Sequence, residues 1–158
     1  MTLESLHIRP ATRDDVDTII EFNRAMALET ESRRLDLATL RTGTLAILES
    51  PEYGFYVVAE LPEGQRHKPV GQLMITYEWS DWRNGVVWWI QSVYVLPQFR
   101  RQGIYRGLYS CIQAMARADE SVRAIRLYVD RRNISAQKLY ESLGMNGDHY
   151  QVFEWVKD

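Results

Sequence analysis

Cysteine is nearly absent. Cys111 is the one thiol in 158 residues, so no internal disulfide can form, and no second Cys or His stands beside it at metal-ligand spacing. No metal site is implied. Long apolar runs are also missing: none approaches the roughly 20 residues that span a bilayer. The N-terminus MTLESLHIRP has neither the basic flank nor the apolar stretch of a signal peptide. A membrane partner is therefore not expected, and a cytoplasmic chain is. Two phosphate-binding signatures, G-x-x-x-x-G-K-[ST] and G-x-G-x-x-G, do not occur. Repeats, low-complexity tracts and linkers are absent too, and the length suits one domain over residues 1–158. With 25% charged and 46% hydrophobic residues, the chain has the composition of a folded globular protein rather than a disordered one.

Acid is missing from one long window. Between Trp82 and Ala118 there is no carboxylate, while Arg83, Arg100, Arg101, Arg106 and Arg117 give +5. Since the whole chain carries −2, the remainder must carry −7, and −6 of this falls on residues 1–65, with twelve carboxylates against six arginines. A basic middle beside an acidic N-terminal part points to one anionic and one cationic small partner, set against the simpler reading of two solvated faces. A nucleic-acid partner is not expected, because the basic residues concentrate at one phosphate-sized turn and the chain is acidic overall.

Pattern and punctuation predict alternating elements. His7–Ala11 reads as a strand, and Thr12 with Asp15 as a capping-box variant opening a helix through Val16, Ile19, Ile20 and Met26. A second helix is expected over Asp36–Leu48, a strand over Phe55–Ala59 and a polar loop over Pro62–Pro69. Two long strands follow, Val70–Trp79 and Val86–Leu96, joined across Asn84-Gly85, a dipeptide suited to a two-residue hairpin. Ile104, Leu108, Cys111, Ile112 and Met115 fall at helical spacing, which makes Cys111 a core thiol rather than a nucleophile. A strand over Ile125–Val129, a helix over Ile134–Leu143 stopped by Gly144, and a closing strand over Tyr150–Val156 complete an α/β or α+β pattern.

Most of the chemistry lies in Val93–Leu108. A strand leads into a turn bearing Arg100, Arg101 and Gly103, and then into a helix. The first N–H groups of a helix are free and carry partial positive charge, so an anion placed there gains hydrogen bonds and a favourable dipole together. Gly103 would allow close approach of the backbone, and Arg100, Arg101 and Arg106 would add full charge.

This stretch resembles motif A of the Gcn5-related N-acetyltransferases. Val93, Val95 and Pro97 match the strand of that motif, and Arg100-Arg101-Gln102-Gly103-Ile104-Tyr105 matches its [QR]-x-x-G-x-[GA] turn except at the last position. Ile8-Arg9-Pro10-Ala11-Thr12 with Asp15-Val16 is similar to the family's first strand and helix, and Asn133–Met145 to its N-x-x-A-x-x-x-Y-x-x-x-G-F element. The resemblance implies a mixed, mostly antiparallel sheet of six to seven strands flanked by about four helices, with acetyl-coenzyme A as cosubstrate and no metal. It implies that the pyrophosphate rests on backbone N–H groups from Arg101 to Arg106, and that the pantetheine arm pairs beside Val93, Tyr94 and Val95. A bulge in that strand would splay it from Ile125–Val129 and free N–H groups for the thioester oxygen.

Taken alone, Asn133 is an N-cap and Tyr140 a core aromatic. The resemblance instead makes Asn133 a contact to the pantetheine arm and Tyr140 the general acid for the departing thiolate. Two residues depart from the family pattern. Tyr105 stands where a small residue is expected, and would swing aside, pack over the pyrophosphate or obstruct it. Gln91 falls where many relatives place a glutamate base, and an amide cannot accept the proton. A two-residue turn at Asn84-Gly85 would put Glu78 opposite Gln91, which makes Glu78 the candidate base, directly or through water.

Tyr77, Trp79, Trp82, Trp88 and Trp89 flank that hairpin, as packing residues or as an aromatic pocket for a cation. Glu29 and Glu31, expected in the loop between the first two helices, are candidate acceptor contacts alongside Gln91. His7, His67 and His149 show no partner pattern. Many members of the resembled family are homodimers, and an exposed aromatic hairpin would suit such an interface. The function implied is acetyl transfer from acetyl-coenzyme A to a primary amine, that of a small metabolite ahead of a protein amine, by direct attack through a tetrahedral intermediate. The alternative is a noncatalytic acyl-coenzyme A sensor or partner-binding module, suggested by the departures at Tyr105 and Gln91.

Overall fold

Short apolar runs rich in β-branched residues form a five-stranded sheet in the computed structural model, which describes residues 5–157. The strands are β1 (His7–Pro10), β2 (Gly54–Glu63), β3 (Arg66–Ser80), β4 (Gly85–Val95) and β5 (Val122–Arg126), and they lie in sequence order. β1 to β4 are antiparallel. β5 joins β4 in parallel, by way of the crossover helix α3 (Ile104–Ala118). The helices α1 (Val16–Glu31) and α2 (Leu37–Glu49) come between β1 and β2, and α4 (Ile134–Ser142) follows β5. Two compact units make up the chain, Met1–Arg126 with the sheet and Leu127–Asp158 with α4.

In the first unit the sheet is covered on both faces. On one face Tyr56 of β2 packs with Ile19 of α1 and Ile47 of α2. On the other, Ile8, paired with Ala59, lies against α3 so closely that a Cβ on Gly107 would come within 2.7 Å of Leu6 and 3.4 Å of Ile8. Val57, Val58, Leu73, Ile75 and Val87 of the sheet and Leu108 and Ile112 of α3 are fully buried. Burying each is worth about 1.5–3 kcal/mol. Cys111 is half-buried on this helix, and burial pushes its thiol above its ordinary pKa.

Arg9 ties β1 to its surroundings. Its guanidinium donates to both carboxylate oxygens of Asp15 at 2.8 and 2.9 Å, and to Glu60 Oε1 on β2 at 2.7 and 3.1 Å. Asp15 also accepts from the Thr12 backbone N–H at 2.7 Å, the expected capping-box contact, ahead of a short 3₁₀ turn that leads into α1. Burial pushes the Asp15 carboxyl up, but the bonds from Arg9 and Thr12 outweigh it and hold the group below its ordinary range.

Several expectations shift. The polar segment 62–69 is not a loop: β2 and β3 run through it and turn at Gly64 and Gln65, with Gly64 at φ 62°. The β3–β4 connection is not a two-residue turn. Ser80 pairs with Gly85, Asp81 to Asn84 form the loop, and the Asp81 carboxylate accepts from the Trp82 N–H at 2.8 Å, which favours the longer turn. Left-handed Asn84 ends the loop at φ 44°, and Gly85 opens β4 where any Cβ would lie 2.5 Å from the Ser121 carbonyl oxygen. β5 begins three residues earlier than expected, because the pairing with β4 takes Val122, Ala124, Ile125 and Arg126 while Arg123 bulges out to bond the carbonyls of Arg83 and Asn84. The closing strand is absent: residues 150–156 are irregular, with Phe153 91% and Trp155 86% exposed, so five strands stand among the described residues instead of six to seven.

Because the Asp15 carboxyl is held below its ordinary value in the folded state, its pair with Arg9 stabilises the fold fully above the ordinary carboxylate range. That contribution is lost as pH falls through the depressed value. Asp15→Asn is expected to lower unfolding stability by about 2 kcal/mol at pH 7. In urea titrations of both proteins the gap should close below about pH 4; a gap independent of pH would refute the assignment.

Candidate active site

The site begins with a defect in β4. Gln72 of β3 pairs with Tyr94 and Met74 with Gln91, so Ser92 and Val93 together face the single residue Leu73. This is a β-bulge, and Ser92 sits in it at φ 49°, an uncommon conformation for a residue with a side chain. The bulge is held from behind. Gln72, fully buried, donates from Nε2 to the Ser92 carbonyl at 3.1 Å and to Asn23 Oδ1 of α1 at 2.8 Å, and Asn23 donates to the Tyr56 hydroxyl at 3.2 Å. Gln72 Oε1 is buried without a hydrogen-bond partner among the described residues.

β4 and β5 part company before the bulge. β5 pairs with β4 only from Val86 to Trp89, so from Ile90 to Val95 the outer edge of β4 has no strand partner among the described residues. That open edge includes Val93, Tyr94 and Val95, the positions expected to meet a pantetheine arm. A secondary amide laid along it could pair with the main chain as an added strand would.

Beyond Val95 a 3₁₀ turn over Pro97–Phe99 leads to Arg101 at φ 60° and Gly103 at φ 83°. Left-handed Gly103 is the N-cap of α3, and no side chain caps the helix. The first backbone bond of α3 runs from the Gly107 N–H to the Gly103 carbonyl at 2.9 Å, so the amides of Ile104, Tyr105 and Arg106 precede the intrahelical ladder. With no acid in the first turn, and with exposed Arg101 and Arg106 flanking it, these donors suit a diphosphate. Gln102 braces the turn, donating to the Gln98 carbonyl at 3.0 Å. The Tyr105 ring stacks on Tyr109 one turn along, centroids 6.4 Å apart, which directs it down the helix flank.

Arg100 has other work. Its Nε donates to the Val95 carbonyl at 2.9 Å, its other arm reaches Glu29 at 2.7 Å, and its guanidinium lies 5.4 Å from the Tyr94 ring centre. The Tyr94 hydroxyl also donates to Glu29, at 3.1 Å. Burial and then Glu29 raise the Tyr94 phenol above its ordinary value. Arg100, expected to contact phosphate, thus clamps the C-terminal end of α1 to the turn.

Glu29 and Glu31 are not in a loop. They occupy the last turns of α1, which continues to Glu31 and stops at left-handed Ser32. Glu31 lines a cavity of about 550 Å³ between α1, α2 and the sheet. Asn23, Met26, Ala27 and Thr30 of α1 form one wall, Leu40, Thr44 and Ile47 of α2 another, and Tyr56, Met74 and Ser92 the floor. Arg33 also lines it. Residues 23, 26, 27 and 30 share one helix face by spacing, a signal that the sequence carried and that the acidic residues overshadowed. Asn23, Tyr56, Gln72 and Ser92 had no motif to single them out.

The register moves Glu78 away from its expected partner. Gln91 faces Met74 and donates to the Thr76 hydroxyl at 2.5 Å, while Glu78 pairs with Val87 and binds Arg126 at 3.0 Å. Glu78 keeps the face of Gln91 but stands four residues along β3 from its partner, on the order of 13 Å. The basis for choosing it as the base is gone. The aromatic group also divides: Trp88 is buried, edge-on to Phe55 at 5.2 Å, while Trp79 is 64% and Trp82 93% exposed. In the second unit, Asn133 N-caps α4, its Oδ1 accepting the Ala136 N–H at 3.0 Å, and Tyr140 lies half-buried two turns later.

The chain matches the Acetyltransferase (GNAT) family over residues 17–145. Among solved structures, a possible acetyltransferase from Clostridium difficile 630 is 43% identical, with a TM-score of 0.88 over 97% of this chain and 98% of that one. AAC(6')-Iy in complex with the bisubstrate analogue CoA-S-monomethyl-acetylneamine is 17% identical, with a TM-score of 0.73 over 97% of this chain and 99% of that one. An aminoglycoside acetyltransferase from an uncultured soil metagenomic sample, in complex with sisomicin, is 17% identical, with a TM-score of 0.76 over 98% and 97%. No curated protein matches the chain. A bulged strand with an open edge, followed by an uncapped helix behind a basic turn, is thus found in a chain that belongs to the GNAT acetyltransferase family.

Proposed function

We propose that this protein moves an acetyl group from acetyl-coenzyme A to a primary amine of a small metabolite. One observation carries the reading: the open, bulged edge of β4 runs from a cavity that Ser92 lines toward an uncapped helix N-terminus. Coenzyme A spans these as a strand-like arm with a diphosphate at one end and a thioester at the other. Ile104, Tyr105 and Arg106 would supply amides to the diphosphate, Arg101 and Arg106 its counter-charge, and the edge from Val93 to Val95 the pairing for the arm.

The acceptor enters the cavity. Its apolar lining, with Met26, Leu40, Ile47 and Met74, favours an amine with an apolar body, and Glu31 beside it attracts the ammonium group. The neutral amine nitrogen attacks the thioester carbon, the C–S bond breaks, the amine gives up one proton and the thiolate gains one. Amides at the bulge can stabilise the oxyanion formed on the way. Glu31 is the side chain proposed to take the amine proton, directly or through water. By the family resemblance, Tyr140 returns a proton to the thiolate and Asn133 holds the pantetheine arm.

A thiol-release assay over monoamines, amino acids, polyamines and aminoglycosides tests the reading. Turnover with at least one monoamine is expected. Binding of acetyl-coenzyme A without turnover over the whole panel would replace the enzyme with an acyl-coenzyme A sensor.

Three variants test the residues. Tyr140→Phe should lower kcat by on the order of 10²-fold while acetyl-coenzyme A affinity, by calorimetry, changes little; equal turnover would remove Tyr140 from the chemistry. Glu31→Gln should lower kcat/KM by on the order of 10²-fold and Glu78→Gln should leave it nearly unchanged. The reverse result would return the role to Glu78.

A further inference from the structure

A group of side chains far along the sheet from the bulge is left unused by acetyl transfer. His7 on β1, Glu60 on β2 and His67 on β3 converge on one face: His7 pairs with Glu60, and His67 pairs with Pro62, two residues on from Glu60. One ligand atom from each lies within 4.8 Å of the others, and the two imidazoles stack with centroids 5.5 Å apart. We propose that His7, Glu60 and His67 bind a divalent transition-metal ion of the zinc class.

Three features favour a cation there. The first is charge. Arg9 is paired with Asp15 and Glu60 together, and both carboxylates are buried at 6% and 5% exposure, so the network keeps one negative charge in excess. The second is orientation. Arg9 occupies Glu60 Oε1, at 2.7 and 3.1 Å, and leaves Oε2 facing His7 Nδ1 at 3.3 Å. Arg9 then acts as the outer partner that fixes a ligating carboxylate.

The third is distance. Tetrahedral zinc, with bonds of about 2.0–2.1 Å, sets its ligand atoms about 3.4 Å apart. Glu60 and His7 already meet that spacing at 3.3 Å, and a shift of up to about 1.4 Å in the exposed His67 ring would bring it in. Two imidazoles with one carboxylate leave a fourth position for water. Both histidines are exposed, which gives the ion its entry path. A bound ion would fasten the far end of the β2–β3 hairpin to β1.

Zinc chloride titrated into the full chain, followed by calorimetry and by thermal unfolding, tests the site. One ion per chain and a rise in melting temperature are expected, with affinity falling more than about tenfold in His67→Ala and in His7→Ala. His149→Ala, a histidine outside the group, should bind as the parent does. His67→Ala lies on an exposed strand end and leaves Arg9, Asp15 and Glu60 intact, so a folded variant is expected, checked by circular dichroism. No binding up to 1 mM zinc, or binding unchanged in His67→Ala, would overturn the proposal.

Discussion

The buried amide of Gln72 is the contact on which the candidate site depends. A β-bulge leaves main-chain groups without ladder partners, and a buried group left so costs about 1–3 kcal/mol. Here the carbonyl of Ser92 is met by Gln72 Nε2, and the same nitrogen reaches Asn23 on α1. One side chain therefore fixes the irregular strand and the helix over it in a common position. The open edge of β4, the cavity floor and the α1 wall share this origin. A leucine in its place could fill the volume but could not hold the carbonyl.

A second fastening lies on the solvent side. Glu29 accepts from Arg100 and from Tyr94, so the C-terminal end of α1 is bound to the strand and to the basic turn together. Both partners are charged or polar and partly exposed, and the pairing is weaker than a buried one. The charge asymmetry of the chain takes physical form here: Arg101 and Arg106 stand exposed at the turn, while the Arg100 guanidinium is engaged by Glu29.

Much of this was legible in the sequence, and the parts that were not share a cause. The amphipathic stripe of α3, the Thr12–Asp15 cap and the Gly103 turn are local, set by residues within a few positions of one another. Register is not local. Asn84-Gly85 favours a tight turn by itself, but Asp81 holds the Trp82 N–H and Gly85 must accommodate Ser121, a neighbour far along the chain. That difference of two residues carried Glu78 to Arg126. The cavity residues Asn23, Tyr56 and Ser92 acquire meaning only when three separate elements meet. His7, Glu60 and His67 are likewise joined by strand pairing alone.

The unbroken run of α1 through Glu31 has an evolutionary consequence. Because this cavity wall is a helix rather than a loop, its cavity side is written at positions 23, 26, 27, 30 and 31, interleaved with positions that face elsewhere. Point substitutions at those five can retune the cavity one side chain at a time. A single-residue insertion upstream would turn the whole wall by about 100° and present a different set of side chains. The shape of this cavity is therefore expected to drift by substitution and to tolerate length change only beyond Ser32, where the helix ends.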